Sequence, residues 1–391
     1  MLFNALPDYV REVLARFKEA HKTVYLVGGC VRDQLSGTSP DDFDFVTDAV
    51  PEEVLGIFPR AIPTGLKHGT VTVVVDGVNM EVTTMRRDGR YDGRRPDAVY
   101  FSSDITEDLS RRDFTINAMA WSPDDGLIDP YGGREDIARR VVRCVGEPRL
   151  RFTEDALRMF RAIRFAARLE FDIAPDTDMA IGEMSGTADI LSGERVYVEI
   201  VKTLSSPRPQ MIAHMLDYSL LDSYCVERKP CPRLDKLAYI TAQWRFAALY
   251  HIFTEDGIWD ETALDSLHVS KAERKSTLQI HGAALVSDMT DISIKRLITK
   301  YGAPNVHAAA EICDALYGGN RTATISRIRD MGECTGLAML KVSGSDIKKL
   351  GYSGKEIGQI LERLLEHVYA CPADNEKEKL IAMVQDNPNE Y

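Results

Sequence analysis

Leu26–Asp33, LVGGCVRD, is the most informative segment for the fold of the first part of the chain. A short apolar run, Val24–Val27, ends at Gly28 and Gly29, and helix-forming residues follow, which predicts a strand, a tight turn and a helix. Glycines allow a close approach of the backbone to a ligand, and a helix N-terminus attracts anions. With Arg32 one turn into the helix, the stretch indicates a phosphate-binding turn, although a plain strand–helix turn fits the same residues.

The run DDFDF, Asp41–Phe45, follows shortly after this turn. Because side chains alternate along a strand, Asp42 and Asp44 share one face, opposite Phe43 and Phe45. Two adjacent carboxylates repel each other unless cations neutralise them, and oxygen ligands suit Mg²⁺. The run therefore predicts a Mg²⁺ site, with a solvated strand edge as the alternative.

A third carboxylate is expected from a β-hairpin. Val71–Val75 and Val78–Thr84 flank Asp76–Gly77, a strong two-residue turn signal. Glu81 alternates with the apolar residues of the second strand and so lies on its polar face. If this strand neighbours the two aspartates, three carboxylates on one sheet hold metal ions for phosphoryl transfer.

The residue pattern changes from mixed to helical along the chain. The first part predicts a mixed sheet with helices on one side, and from Phe152 onward the pattern is almost wholly helical. A long helix is predicted from Glu154 to about Leu169, with Thr153 as its N-cap. The expected fold class is α+β, an N-terminal mixed sheet with helices followed by an all-helical C-terminal region. Predicted domains are 1–140, 141–200 and 201–391, and further predicted helices are 194–204, 233–252, 270–287, 292–300, 306–317 and 354–368.

Composition excludes several protein classes. The net charge of −12 over 391 residues argues against a polybasic DNA or membrane binder. There is no long apolar run and no leader-like segment, so no membrane association and a cytoplasmic location are expected. Seven scattered cysteines without a CxxC pair indicate neither a zinc ribbon nor a disulfide framework. Between Arg86 and Arg168 there are 17 arginines, 15 acids and no lysine, which favours bidentate recognition of phosphates or bases, or else surface ion pairs.

Successive motifs resemble one family. GGCVRD and DDFDF resemble the catalytic signature of the nucleotidyltransferase superfamily that includes polymerase beta. RRDFTINAM (111–119), DPYGGREDI (129–137) and EDALRMFRAIRF (154–165) resemble successive motifs of the class II tRNA nucleotidyltransferases, the CCA-adding enzymes, and of the related bacterial poly(A) polymerases. They occur in family order within residues 24–171, and 342–368 is similar to the end of these enzymes.

The resemblance implies a polymerase-beta-like head domain, a helical nucleotide-recognition neck and a helical tRNA-binding body and tail. It implies that Asp42 and Asp44 bind Mg²⁺ and that Glu81 is the third catalytic carboxylate. Asp113 and Asn117 are expected on one helical face near the sugar. The residues expected at the nucleotide triphosphate are Gly28, Gly29, Arg32, Arg112, Asp113 and Asn117.

Asp155 and Arg158 are three residues apart, which makes them neighbours on one helix face. A carboxylate accepts hydrogen bonds and a guanidinium donates them. Cytosine and adenine offer an amino donor beside a ring-nitrogen acceptor, whereas uracil and guanine present the reverse pattern. The resemblance implies that this pair replaces a template, with Arg161 and Arg164 as further nucleotide contacts. A surface ion pair is the alternative for Asp155 and Arg158.

The implied activity is addition of C, C and A to the 3′ end of tRNA from CTP and ATP, with Mg²⁺ and release of pyrophosphate. A poly(A) polymerase, an A-only or CC-only enzyme, and an inactive RNA-binding protein on the same fold are the alternatives. The segment Arg86–Pro96 is similar to the family's flexible loop associated with the switch from C to A, or is a plain surface loop. Any protein partner stays unknown from the sequence.

Overall fold

The computed structural model describes residues 6–66, 69–89, 99–227, 229–286 and 290–387, with Asp88 and Val99 described by their backbone alone. The chain divides into two compact units, residues 1–223 and 224–391. The division into 1–140, 141–200 and 201–391 stays a prediction. No disulfide joins the seven cysteines, all of which lie in the described residues.

The first unit contains all the strands and ten α-helices of the described residues. The strands are β1 (Val24–Val27), β2 (Asp44–Thr47), β3 (Ala61–Gly65), β4 (Thr70–Val75), β5 (Val78–Thr84), β6 (Arg86–Asp88), β7 (Val99–Phe101), β8 (Ala120–Ser122), β9 (Gly126–Ile128), β10 (Val141–Val142) and β11 (Asp172–Ile173). The helices are α1 (Asp8–Glu19), α2 (Gly29–Leu35), α3 (Pro51–Ile57), α4 (Ile105–Ser110), α5 (Gly133–Arg139), α6 (Pro148–Glu154), α7 (Leu157–Leu169), α8 (Pro175–Met184), α9 (Gly193–Leu204) and α10 (Ile212–Asp217).

Seven strands form one mixed sheet in the order β3-β4-β5-β2-β1-β8-β9. All neighbours pair antiparallel except β2 and β5, which run parallel with Asp44 opposite Glu81. The hairpin between β4 and β5 turns at Asp76 and Gly77, whose φ angles are +52° and +80°. Both values lie in the left-handed region that a two-residue hairpin turn of this kind requires. The hairpin and the bounds of β5 are as predicted.

Helices cover both faces of the sheet, so the prediction of helices on one side is wrong. On one face, Val13 and Phe17 of α1 pack with residues of α2 and α3 against Leu26. On the other face, Leu109 of α4 packs against Val27. Strand β1 is therefore buried on both sides, which explains its unbroken apolar run.

The single helix predicted from Glu154 to Leu169 is also wrong. Helix α6 ends at Glu154, Asp155 has φ −152° and ψ 105°, and α7 begins at Leu157. Thr153 is not an N-cap, because its hydroxyl donates to the carbonyl of Arg149 inside α6. The chain breaks at Asp155 because its side chain competes for a backbone donor and accepts the N–H of Leu157 at 3.1 Å.

The second unit is helical throughout its described residues, which confirms the predicted α+β class. Its helices are α11 (Arg245–Glu255), α12 (Glu261–Ser266), α13 (Lys271–Ala284), α14 (Asp291–Tyr301), α15 (Ala303–Tyr317), α16 (Arg321–Asp330), α17 (Gly344–Lys349), α18 (Lys355–Ala370) and α19 (Lys377–Asp386). The helix predicted at 233–252 is instead a 3₁₀ segment, Pro232–Tyr239, followed by α11, and α19 was not predicted. None of the described helices has both the length and the apolar character needed to span a membrane.

Candidate active site

Three carboxylates lie together on one face of the sheet. Asp44 and Glu81 face each other across the parallel pair β2–β5. Asp42 precedes Asp44 by two residues, and both are exposed, while Phe43 and Phe45 are buried on the opposite side. The alternation of exposed aspartates and buried phenylalanines predicted from the sequence is therefore present. The second strand of the hairpin, β5, lies next to β2, which was the condition for Glu81 to join the two aspartates.

The electrostatics of this group fit a divalent cation. Desolvation raises the pKa of Asp44, and the negative charges of Glu81 and Asp42 act in the same direction, whereas Arg112 opposes them. Within the described residues none of Asp42, Asp44 and Glu81 forms a salt bridge, although neighbouring Asp41 pairs with Arg168. An uncompensated set of carboxylate oxygens is the donor set that a hard divalent cation prefers.

A cleft of about 510 Å³ opens beside these carboxylates. Its wall carries eight arginines and three aspartates, so it is strongly electropositive. It contains Asp44 and ten other residues predicted for the site from sequence or resemblance, but not Asp42 or Glu81. The lining residues are Gly28, Gly29, Arg32, Asp44, Arg111, Arg112, Asp113, Asn117, Asp155, Leu157, Arg158, Arg161, Arg164, Phe165, Arg168 and Arg195.

The glycine turn lets the chain pass close to an arginine of the cleft. Gly28 has φ +71°, which disfavours a side chain. A Cβ atom at this position would lie 3.1 Å from Nη1 of Arg112. Gly29 is the first residue of α2, and a Cβ there would lie 3.5 Å from Nη2 of Arg32. The two glycines thus leave room for the guanidinium groups of Arg32 and Arg112.

Asp108 is a buried anchor that the sequence analysis missed. Its carboxylate is fully buried and accepts from Nη2 of Arg111 at 2.6 Å and from Nη2 of Arg112 at 3.1 Å. Burial would raise the pKa of Asp108, but the two guanidinium groups outweigh burial and lower it. The sequence signal that could have identified Asp108 is its spacing of three and four residues from Arg111 and Arg112, which favours ion pairs at a helix end.

A hydrogen-bonded chain links three elements across the cleft. Arg32 donates to Oδ1 of Asn117 at 2.6 Å, and Asn117 donates through Nδ2 to Asp113 at 3.1 Å. The other oxygen of Asp113 accepts from Nε of Arg161 at 2.8 Å. Burial would raise the pKa of Asp113, but Arg161 and the Asn117 hydrogen bond lower it to about 2.

The residues between Asp113 and Asn117 are not an α-helix, so the helical face predicted for this pair is wrong. Only Thr115–Asn117 forms a short 3₁₀ turn. Phe114 and Ile116 are fully buried. The pair still meets, because the turn brings Asn117 back to the Asp113 carboxylate.

Three guanidinium groups lie around the aromatic ring of Phe165. The Cζ atoms of Arg32, Arg161 and Arg164 lie 5.5, 5.4 and 4.2 Å from the ring centroid. Stacking of this kind stabilises cations at an aromatic face. A single side chain of α7 therefore orders three of the arginines of the cleft.

Asp155 and Arg158 both line the cleft, but they do not pair with each other. Nη1 of Arg158 donates to Glu154 at 2.6 Å, and Nη2 donates to the carbonyl of Arg111 at 2.9 Å. Asp155 pairs instead with Arg195 of α9 at 2.8 Å. The predicted helical neighbourhood is wrong because Asp155 lies in the break between α6 and α7.

Helix α9 supplies two charged residues that the sequence analysis missed. Arg195 holds Asp155, and Glu199, one turn further on, pairs with Arg164 at 2.5 Å. Arg164 and Glu199 are both buried. A glutamate on the apolar side of an amphipathic helix was the signal, since carboxylates are rarely buried without a partner.

The predicted switch segment lies partly outside the described residues. Arg86 and Arg87 belong to β6, which pairs with β7, whereas residues 90–98 are outside the described part of the chain. The role of Arg86–Pro96 therefore stays a prediction.

Comparison with known proteins gives consistent results along the chain. Residues 24–143 match the family model "Poly A polymerase head domain", and residues 170–224 match "Probable RNA and SrmB- binding site of polymerase A". The CCA-adding enzyme of Geobacillus stearothermophilus is 44% identical over 61% of this chain and 57% of that enzyme. The CCA-adding enzyme of Geobacillus sp. (strain WCH70) is 35% identical over 91% of both chains.

A solved structure extends the similarity to the fold. The crystal structure of Bacillus stearothermophilus CCA-adding enzyme in complex with CTP has a TM-score of 0.82 and 30% identity, covering 98% of this chain and 97% of that chain. Sequence and fold are thus both similar along nearly the whole length of the chain. On this agreement, the chain belongs to the family of CCA-adding enzymes.

Proposed function

We propose that this protein adds C, C and A in turn to the 3′ end of tRNA, using CTP and ATP and releasing pyrophosphate, without a nucleic-acid template. The observation that carries the proposal is the single cleft of about 510 Å³ that contains Asp44 together with Asp155 and Arg158. One of the carboxylates proposed for phosphoryl transfer and the two residues proposed to read the base therefore line one space. The relative with 30% identity whose structure contains CTP supports the nucleotide class.

Asp42 and Asp44, supported by Glu81, would hold Mg²⁺. Bound there, the metal supplies Lewis-acid chemistry that activates the 3′-hydroxyl of the RNA and neutralises the leaving pyrophosphate. The raised pKa of Asp44 supports this assignment, because a cation removes the repulsion between its carboxylate and its neighbours.

The triphosphate is the chemical group that best matches the arginines beside the glycine turn. Arg112 lies against Gly28, and Arg32 lies against Gly29, so both guanidinium groups are presented where the backbone leaves space. Arginine forms paired hydrogen bonds to phosphate oxygens. Asp113 and Asn117 act here mainly as positioning residues, because their polar atoms already hold Arg161 and Arg32.

Asp155 and Arg158 are proposed to read the base. Asp155 would accept the exocyclic amino group of cytosine or adenine, and Arg158 would donate to the adjacent ring nitrogen. Uracil and guanine reverse both groups and leave polar atoms unpaired, which makes their rejection strong. Arg158 has five N–H donors, and three protein contacts leave donors for a base.

The test uses tRNA that ends before CCA and supplies each nucleoside triphosphate alone and all four together. We expect C, C and A in order with Mg²⁺, no addition in EDTA, and none by Asp42→Ala or Asp44→Ala. Arg158→Ala is expected to relax nucleotide choice while addition continues. Incorporation of G or U by the wild-type protein at rates like those of C and A would contradict the base-reading assignment.

Other activities of the same chemistry give different products. The match of residues 24–143 to a poly(A) polymerase head favours that enzyme as the second candidate, and long A tails on unrelated RNA would identify it. Addition of A alone or of CC alone would identify a split-function enzyme. An inactive RNA-binding protein is disfavoured by the intact carboxylate group. The cytoplasmic location stays a prediction from the sequence.

A further inference from the structure

The carboxylate of Asp155 is held by two donors from different elements. Oδ1 accepts the backbone N–H of Leu157 at 3.1 Å, and Oδ2 accepts from Nη2 of Arg195 at 2.8 Å. Asp155 itself has an extended backbone, so no helix restrains its side chain. Arg195 is thus the side chain that fixes the direction of the second carboxylate oxygen.

We propose that Arg195 is a positioning residue that sets nucleotide selectivity through Asp155. The inference rests on the proposed function, in which Asp155 reads the exocyclic amino group of the base. A carboxylate oxygen has two lone pairs, and each oxygen of Asp155 has one engaged by a protein donor. The remaining lone pairs then point in fixed directions and discriminate an amino group from a carbonyl oxygen.

Helix α9 is a firm support for Arg195. Val196 and Ile200 are fully buried, and Glu199 holds the buried Arg164 of α7 at 2.5 Å. Two opposite charges one turn apart therefore fasten α9 to Asp155 and to Arg164. Groups held on rigid elements keep the geometry on which selectivity depends.

The two halves of the base-reading pair have separate supports. Arg158 is held by Glu154 and by the carbonyl of Arg111, and neither contact involves Arg195. Loss of Arg195 therefore affects the acceptor half and leaves the donor half in place. The acceptor half is the one that meets the amino group of cytosine and the oxygen of uracil, so selection of CTP over UTP is the sensitive quantity.

The contact between Arg195 and Asp155 uses one donor atom, so a conservative substitution can restore it. Only Nη2 of Arg195 contacts Asp155, and Nη1 is buried without a hydrogen-bond partner in the described residues. A single cationic donor is enough to make this contact, and lysine provides one. Arg195→Lys should therefore restore selectivity that Arg195→Ala loses.

The experiment measures kcat/KM for CTP and for UTP on tRNA that lacks CCA, with full-length protein. For Arg195→Ala we expect the CTP-to-UTP ratio to fall by about tenfold or more, the size expected when one hydrogen-bonding restraint on selectivity is lost. Arg195→Lys recovers most of the ratio. Arg149→Ala is the matched control, because Arg149 forms a surface ion pair with Glu183 and is 62% exposed. The CTP-to-UTP ratio of this variant is expected to equal that of the wild type.

A double-mutant cycle with Asp155→Asn separates positioning from a merely structural role. If Arg195 acts through Asp155, the double variant has the ratio of Asp155→Asn alone. An unchanged ratio in Arg195→Ala, or additive losses in the cycle, overturns the proposal. If Arg195→Ala does not fold, Arg195→Met, which keeps an aliphatic stem, takes its place in the same cycle. A wild-type protein that adds U as readily as C contradicts the proposed function itself, whatever the variants do.

Discussion

The Asp113–Arg161 pair offers a quantitative test of how the cleft is held together. Asp113→Asn replaces a carboxylate that is only 8% exposed and that receives two donors of Arg161, Nε at 2.8 Å and Nη2 at 2.5 Å. The other oxygen already accepts from Phe114 and Asn117. The new amide must therefore turn its NH₂ group toward the donors of Arg161. This removes the charge attraction and places hydrogen-bond donors opposite one another.

The magnitude follows from the pKa of Asp113. It falls from an ordinary 3.8 to about 2 in the folded protein. At 1.36 kcal/mol per unit, the ionised carboxylate contributes about 2–3 kcal/mol to the free energy of unfolding at pH 7. A depressed folded-state pKa means that this contribution is present above the unfolded pKa and is lost as pH falls toward the folded pKa. The difference in the free energy of unfolding between wild type and variant should therefore shrink to roughly half of its pH 7 value at pH 3.

Urea unfolding followed by circular dichroism at pH 7 and pH 3 measures both values. Glu135→Gln is the control, because its ion pair with Arg139 is about two-thirds exposed on both sides, 64% and 65%, and should change stability by less than about 0.5 kcal/mol. Asp113→Asn should also raise the KM for CTP, since Arg161 loses its anchor in the cleft. A loss of stability for Asp113→Asn below about 1 kcal/mol, or a loss that is equal at both pH values, would show that this ion pair does not stabilise the cleft as stated.

Three other substitutions test separate parts of the molecule. Asp44→Asn should lower CMP transfer by about 10³-fold, the size of several kcal/mol of lost charge stabilisation, with an unchanged melting temperature. Gly28→Ala places a side chain at φ +71° and 3.1 Å from Nη1 of Arg112, so it should raise the KM for CTP. Gly37→Ala is its control, because Gly37 has a similar φ of +77° but open space around it. Both variants should lose about 1–2 kcal/mol of stability, and Gly37→Ala should leave the KM unchanged. Lys295→Met removes the ammonium group 2.5 Å from the buried carboxylate of Glu333 and leaves that carboxylate with Arg327 at 3.8 Å. This should destabilise the second unit by about 3 kcal/mol in calorimetry. Transfer by Asp44→Asn near the wild-type rate, equal KM values for the two glycine variants, or an unchanged melting curve for Lys295→Met would contradict the respective argument.

Local patterns were enough to predict the carboxylate face of the sheet. The glycine turn at Gly28, the hairpin at Asp76 and the alternation around Asp44 all depend on neighbours within a few residues. The conditional expectation for Glu81 needed only that its strand lie next to β2. Period-two alternation and turn residues are short-range properties, and they survive in any fold that buries one side of the strand.

Helical spacing does not hold at Asp155, because the chain breaks there between α6 and α7. The residues around Asp155 have no proline or glycine to mark the end of α6. The break depends on competition between backbone hydrogen bonds and those of a side chain that also pairs with Arg195, forty positions away. Helix propensity, which depends on residues near in sequence, carries no information about Arg195.

Local patterns of residues thus specify the order of strands and helices around the first turn, the shared face of the carboxylates and the excess of arginine in the middle of the chain. The partner of each arginine in the cleft, in contrast, depends on long-range packing. Asp113 meets Arg161 across 48 positions, and Arg32 meets Asn117 across 85. A charged side chain is satisfied by any opposite charge within reach, so its partner is set by how distant helices pack, and that packing is the sum of many contacts that no local pattern encodes.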